Sequence, residues 1–385
     1  MTKPRKPDTL VAAHGVAEDP WRGAVAPPIH LSTTYAWRDV AEKPQFDYSR
    51  TANPTRATLA GLLAELEGGA HGIVTATGMA AVDVILNLLS PGDLLVAPHD
   101  CYGGSHRLFS AKAKKGNFEV AFVDQTDLNA VDAALARKPK LVWIETPSNP
   151  LLRVTDIREV ATRARTVGAL VCADNTFLSP ARQQPLVLGC DLVMHSTTKF
   201  INGHTDVVGG AIISKDAELG EELAWWTNCV GASGSAFDSF LTLRGARTLF
   251  ARLDRQEATA GAIAETLDAD ERVAAVHYPG LPSHPGHEIA AKQQSGFGAL
   301  LSFELADGFD ARAFMNALEL VTPAASLGGF ETLACLPASM THAGMDPKAR
   351  LEAGVTDSLI RLSAGLENAE DLLADIDAAL KTAKT

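Results

Sequence analysis

The segment HSTTKFINGHTDVVGG, residues 195–210, places Lys199 after a polar Ser-Thr-Thr run that itself follows the strand-like DLVM. In open α/β sheets, ligands bind in the loops beyond the carboxyl ends of parallel strands. A single loop lysine is ordinarily solvated charge, so its weight comes from its company. Upstream, Asp174 ends the apolar strand of ALVCADNTF. An acid there is able to pair with a protonated pyridine nitrogen, the partner that lets a pyridoxal cofactor act as an electron sink. Taken alone, the same acid would serve equally as a turn residue or helix cap. In TATGMAAVDVIL, Thr77-Gly78-Met79 lies between an apolar strand and a helix, where backbone amides at the helix start are able to hold a phosphate. Ser196 and Thr198 bring hydroxyls toward the same anion, although ordinary loop capping would use them too. An imine-forming amine, an acid for a ring nitrogen and an anion cradle together point to pyridoxal-phosphate chemistry on a small amino acid.

Such residues need a scaffold that brings strand ends together. In TRATLAGLLAELE, residues 55–67, Leu59, Leu62, Leu63 and Leu66 share one helical face, and Gly68-Gly69 stops the helix. Short apolar runs then alternate with helical stretches: HGIVTAT, DLLVAP, FEVAFVD, KLVWIETP, ALVCADN, DLVMHSTT and GGAIIS. Runs of this length separated by helices predict buried parallel strands in an open sheet, an α/β fold with helices on both faces. The spacing predicts a large domain over residues 55–245 and a smaller α/β domain over 246–385, entered through one long helix over 244–270. Strands in the second region are expected at AVHYPG, GFGALLSFEL and SLIRLSAG, with a final helix in NAEDLLADIDAALKTA. Residues 1–54, rich in Pro, Thr, Ser and Tyr without helical periodicity, read as an extended arm that lies across something else.

Composition narrows the function classes. With 385 residues, 46% hydrophobic and 21% charged, the chain is long and apolar enough for two packed domains. A formal charge of −12, with no basic run beyond Lys3, Arg5 and Lys6, would repel nucleic acid and anionic lipid. The five cysteines, Cys101, Cys172, Cys190, Cys229 and Cys335, show no CxxC spacing, which leads us to expect reduced thiols and a cytoplasmic setting. No apolar leader follows the N-terminal lysine, and no apolar stretch is long enough to span a bilayer. His14, His99 and His204 are dispersed without ligand spacing, so no metal is expected.

The segments FDYSRTANPTR, TATGMAA, APHDCYGGSHRLF, IETPSNPLLRVTDI, ADNTFLSP, HSTTKFINGHTDVVGG, FDSFLTLRGARTL, YPGLPSHPGHEIA, SLGGFETL and LIRLSAGLENAEDL span most of the chain. In content and order they resemble the transsulfuration family of fold-type-I pyridoxal-phosphate enzymes. That resemblance implies the aspartate-aminotransferase-like fold and a role for each matching residue. Lys199 corresponds to the Schiff-base lysine, Asp174 to the acid at the pyridine nitrogen, and Tyr102 to the tyrosine stacked over the cofactor ring. Gly78, Met79, Ser196 and Thr198 correspond to the phosphate cradle. Tyr48 and Arg50 correspond to a pair that reaches from one subunit into the phosphate site of its neighbour, which implies a dimer, and by family habit a homotetramer of two dimers. Asn149 lies near the cofactor hydroxyl and substrate, Arg361 forks onto the substrate α-carboxylate, and Ser326 belongs to the substrate site; apart from the resemblance, Asp47 together with Arg107 is expected to select the distal end of the substrate, an acyl carboxylate falling to the arginine. Where the family usually carries an acid before Ser-Leu-Gly-Gly, this chain has Ala325.

The family chemistry has the substrate amine displace Lys199, whose freed amine then shuttles protons at Cα and Cβ until the γ-substituent leaves. Addition of a thiol gives γ-replacement, joining cysteine to an O-acylhomoserine, with O-succinyl as the first expectation. Hydrolytic release gives γ-elimination to 2-oxobutanoate and ammonia. A β-elimination of the same type of substrate would give pyruvate instead. A non-catalytic binding role is opposed by the presence together of Lys199, Asp174, Tyr102 and Arg361.

Overall fold

Seven short apolar runs pair into one sheet in the computed structural model, which describes residues 5–341 and 347–385. Lys3 of the basic N-terminal cluster therefore lies outside the described residues. The strands are β1 (His71–Thr75), β2 (Leu94–Pro98), β3 (Glu119–Val123), β4 (Leu141–Glu145), β5 (Leu170–Asp174), β6 (Leu192–His195) and β7 (Gly210–Ser214). Their order is β1-β7-β6-β5-β4-β2-β3, and only β7 runs antiparallel to its neighbours. Both faces are covered, which is why the strands read as continuous apolar runs rather than alternating ones. On one face Val142, Ile144, Val171 and Val193 belong to the same core as Leu59, Leu62, Leu63 and Leu66 of the helix Pro54–Glu67. On the other, Leu141, Trp143, Cys172 and Met194 meet Ala81, Val82, Ile85 and Phe109.

Local chemistry explains where that first helix begins and stops. Asn53 caps it by accepting from the amides of Thr55 and Arg56, Pro54 occupies its first position, and Gly68 ends it at φ +73°. Truncating any of the four buried leucines to alanine would cost about 2–5 kcal/mol.

A second sheet combines β8 (Val273–His277), β9 (Leu300–Leu305), β10 (Thr322–Pro323), β11 (Leu333–Cys335) and β12 (Leu359–Ser363) in the order β10-β11-β12-β9-β8. It is antiparallel except for the β10–β11 pair. Leu301, Phe303, Ile360 and Leu362 pack on Ile263, Phe314, Leu372 and Ile376 from the helices beside it.

Two expectations are corrected. The long helix predicted over 244–270 is broken into Ala236–Ala246 and Leu249–Asp268. The Arg252 guanidinium reaches back to the carbonyls of Phe200 and Gly245 and its Nε to the Thr248 hydroxyl, so the buried helix end is satisfied by a side chain at the bend. The N-terminal arm is not wholly extended, because Pro7–Ala13 is helical. Val11 from this helix joins the main core, and Arg247 donates to the carbonyls of Val11 and His14 at its end. Beyond it the arm is largely irregular, with a single bridge between Thr34 and Tyr48.

Candidate active site

Because six of the seven strands of the large sheet run the same way, the loops after β1, β2, β4, β5 and β6 open on one edge. They meet the β12 side of the smaller sheet around a cavity of about 550 Å³. Gly78, Met79, Tyr102, Arg107, Asn149, Asp174, Ser196, Thr198, Lys199, Ser326 and Arg361 all line it, as does Ala325. Asp47, Tyr48 and Arg50 do not. They sit on the arm, where Arg50 donates to the Asn228 carbonyl at 2.9 Å and lies over the Tyr48 ring at 5.7 Å.

Lys199 follows β6 in a turn closed by its own amide to the Ser196 carbonyl. Its Nζ donates to the Ser326 hydroxyl at 2.6 Å. Burial, aided by the charge of Arg361, pulls the amine down to about 8, within reach of a free base at physiological pH. Ser326 has φ +95°, a left-handed conformation unusual for serine, and its carbonyl accepts from Arg361 at 2.8 Å. One strained residue thus holds both cations of the floor. Arg361 also donates to Asn149 Oδ1 at 2.8 Å. Of the five N–H donors of the guanidinium, those two are taken, and its Nε is buried without a partner, as suits a site built to receive a carboxylate.

Asp174 ends β5 with one oxygen accepting from the Thr176 amide at 3.0 Å. Burial raises its pKa, while the Thr176 hydroxyl and amide and the nearby His195 oppose the shift. A cation against this carboxylate would remove the burial penalty, which is what a protonated pyridine nitrogen offers. Across the cavity, Thr77 caps the helix Gly78–Ile85 by accepting from the Ala80 amide, leaving Gly78 and Met79 at its head. A Cβ on Gly78 would come within 2.9 Å of the Ser196 Cβ, so glycine is what lets the helix head and Ser196 lie this close. The Thr198 hydroxyl both donates to the Gly209 carbonyl and accepts from the Gly209 amide, so part of its capacity is engaged within the loop. Gly104 allows the Tyr102 ring to lie close, since a Cβ there would meet ring carbon Cε1 at 2.5 Å and the Met79 sulfur at 3.0 Å. An acid at the base, amides and hydroxyls at one end, a flat ring above and a lysine amine beside them are the donor set that pyridoxal phosphate requires.

Two residues escaped the sequence reading although a signal was present. Glu145 ends β4 as Asp174 ends β5, each an acid terminating an all-apolar run. Thr176 accepts from the Ser196 amide at 2.9 Å and so ties the β5 and β6 loops together. Met340 and Thr341 also line the cavity, brought there only by the packing of the two sheets. His14, His99 and His204 are far apart in use: they meet the carbonyls of Thr58, Val123 and Asn202 respectively. Among the described residues no group of three or more His, Cys, Asp or Glu side chains is arranged to hold a metal, and no helix is long and apolar enough to cross a membrane.

Comparison with known proteins agrees with this donor set. Residues 8–381 match the family described as Cys/Met metabolism PLP-dependent enzyme. The chain is 53% identical to the cystathionine gamma-synthase of Escherichia coli, over 98% of this chain and 99% of that one. It is 43% identical to the cystathionine gamma-lyase of Bacillus subtilis, over 98% and 99%. A crystal structure of cystathionine gamma synthase from Xanthomonas oryzae pv. oryzae, in complex with aminoacrylate and cysteine, superposes with a TM-score of 0.98 at 56% identity, covering 99% of each chain. With Lys199, Asp174, Gly78 and Ser196 lining one cavity at the sheet edge and the match running nearly end to end, this chain belongs to the PLP-dependent enzymes of cysteine and methionine metabolism.

Proposed function

We propose that the chain acts as a cystathionine γ-synthase, joining L-cysteine to an O-acyl-L-homoserine, O-succinyl in particular, to give cystathionine for methionine biosynthesis. The observation that carries this reading is the presence of Arg361 and Arg107 in the lining of one cavity. A succinylated homoserine offers two carboxylates for two guanidinium groups.

When bound, pyridoxal phosphate supplies an electron sink for charge developing at the substrate Cα. Asp174 serves the ring nitrogen, the Gly78 and Met79 amides with the Ser196 and Thr198 hydroxyls hold the phosphate, and Tyr102 stacks on the ring. Arg361, steadied by Asn149 and Ser326, orients the α-carboxylate. Lys199 Nζ removes and returns protons at Cα and Cβ, and its contact with the Ser326 hydroxyl holds it in place between transfers. Arg107 steadies the succinyl carboxylate until it departs as succinate, while the cysteine sulfur bonds to Cγ and gives up its thiol proton. In this reading residues 1–54 are an arm on a neighbouring subunit, 55–245 the cofactor domain and 246–385 the smaller domain. Asp47, Tyr48 and Arg50 then complete a neighbour's site within a cytoplasmic homotetramer. Exposed Trp21, Leu31, Val40 and Tyr48 on that arm support a covering partner.

Incubating the yellow holoenzyme with O-succinylhomoserine, with and without cysteine, and identifying products by mass tests the proposal. Cystathionine formed only with cysteine is the expected result. No turnover there, with 2-oxobutanoate formed from cystathionine, would transfer the assignment to γ-lyase, and pyruvate from cystathionine would transfer it to β-lyase.

A further inference from the structure

Glu145 is a buried carboxyl inside the cavity for which the chemistry above has no use. It stands at the carboxyl end of β4 as the register partner of Asp174 at the end of β5, so the two acids sit side by side on adjacent strands. Its Oε2 accepts from the Tyr102 backbone amide at 2.7 Å, and the Asn149 amide acts on the same group. Tyr102 is the residue from which the helix Gly103–Lys114 departs, and its side chain makes no capping bond. The Glu145 carboxyl is therefore a fixed anchor on the backbone from which the tyrosine ring projects, and it reaches toward Asn149, which in turn fixes Arg361.

Two carboxyls so close cannot both ionise cheaply. Burial, and next the charge of Asp174, push Glu145 well above the usual carboxylate range, while the Tyr102 and Asn149 amides only partly offset this. Asp174 is raised too, but it has the Thr176 hydroxyl and amide and nearby His195 to favour its charge. The pull toward the neutral form is thus stronger at Glu145 than at Asp174, and the Glu145 oxygen accepts the Tyr102 amide.

We infer that Glu145 is a positioning residue that holds the Tyr102 ring over the cofactor by accepting the Tyr102 backbone amide, through its hydrogen-bonding shape rather than through charge. The inference rests on the stacking role proposed above for Tyr102. Glutamine is the closest mimic of a neutral carboxylic acid, so E145Q keeps the acceptor while E145A removes it.

The test compares PLP retention of the holoenzymes on dialysis, with the position and shape of the visible absorption band as a second readout. E145A should release PLP on the order of tenfold more readily, as expected for one lost hydrogen bond at a buried acceptor. It should also broaden or shift the band, whereas E145Q stays within about twofold of wild type by the same reasoning. In a Y102A background, adding E145A should cause no further loss. Equal losses in E145Q and E145A, additive loss in the double variant, or no loss in E145A would each overturn the inference. If E145A does not fold, E145D, which withdraws the acceptor by one methylene, must show the tenfold loss in its place, and wild-type retention in E145D overturns the inference. Should Y102A itself leave retention and band unchanged, the stacking role fails, a result distinct from failure at Glu145.

Discussion

Asn149, Asp174 and Arg361, at the floor of the cavity, are each less than a tenth exposed and each held by a neighbour within the chain. At the mouth, Tyr102 is 44% exposed, and among the described residues Arg107 has no ion-pair partner. The floor is built from strand ends and a strand of the second sheet, elements whose positions are set by two cores. The mouth is built from the first turns of the helix after β2 and from Met340 and Thr341. Preorganised groups act on charge without reorganising, so the floor suits the chemistry common to the family. A looser mouth suits selection among distal groups.

Three changes would break or sharpen that contrast. The largest effect is expected from K199A, which should lower turnover by on the order of 10³-fold or more by removing both the cofactor anchor and the base. Its PLP complex should lack the wild-type visible band. In wild-type apoprotein the same amine, free above its pKa of about 8 and protonated below it, should make the rate of PLP reconstitution rise through that pH and then level off. A flat profile from pH 6 to 10 would contradict the burial effect. Next, R361K keeps the charge but not the fork, and a loss of roughly 10²-fold in kcat/KM is expected with the visible band preserved. Steady-state kinetics and a spectrum on one sample check it; a displaced band would mean that the arginine supports the cofactor instead. The smallest effect is expected from R107A, which should raise KM for O-succinylhomoserine by about tenfold, leave kcat nearly unchanged, and show a difference that shrinks in high salt. Should R107A depress kcat as R361K does, the floor and mouth would not be functionally distinct.

Much of the floor was legible in the sequence because each element carries its own signal. Apolar runs of four to six residues marked β1 to β7, and the residues just after them marked the cavity edge, since parallel strands present their carboxyl ends together. β10 and β11, two and three residues long, left no such trace. The break at Arg247-Thr248 was hidden because the segment keeps helical periodicity across it, and the guanidinium that satisfies the bend comes from Arg252 on the next helix. Glu145 was passed over for a different reason: an acid at a strand end is informative only once its neighbour on the adjacent strand is known.

By itself the sequence determined the α/β class, the cofactor chemistry and the places of Lys199, Asp174 and the Gly78 turn beside strand ends, because those depend on residue type and on position relative to a local strand or helix. Tertiary structure alone decided that Ser326 would hold both Lys199 and Arg361, that Asn149 and Arg361 would meet across 212 residues of chain, and that Glu145 would stand beside Asp174. These are relations between distant segments. They arise from strand order, register and the packing of one sheet against another, none of which is encoded in the spacing of any single stretch.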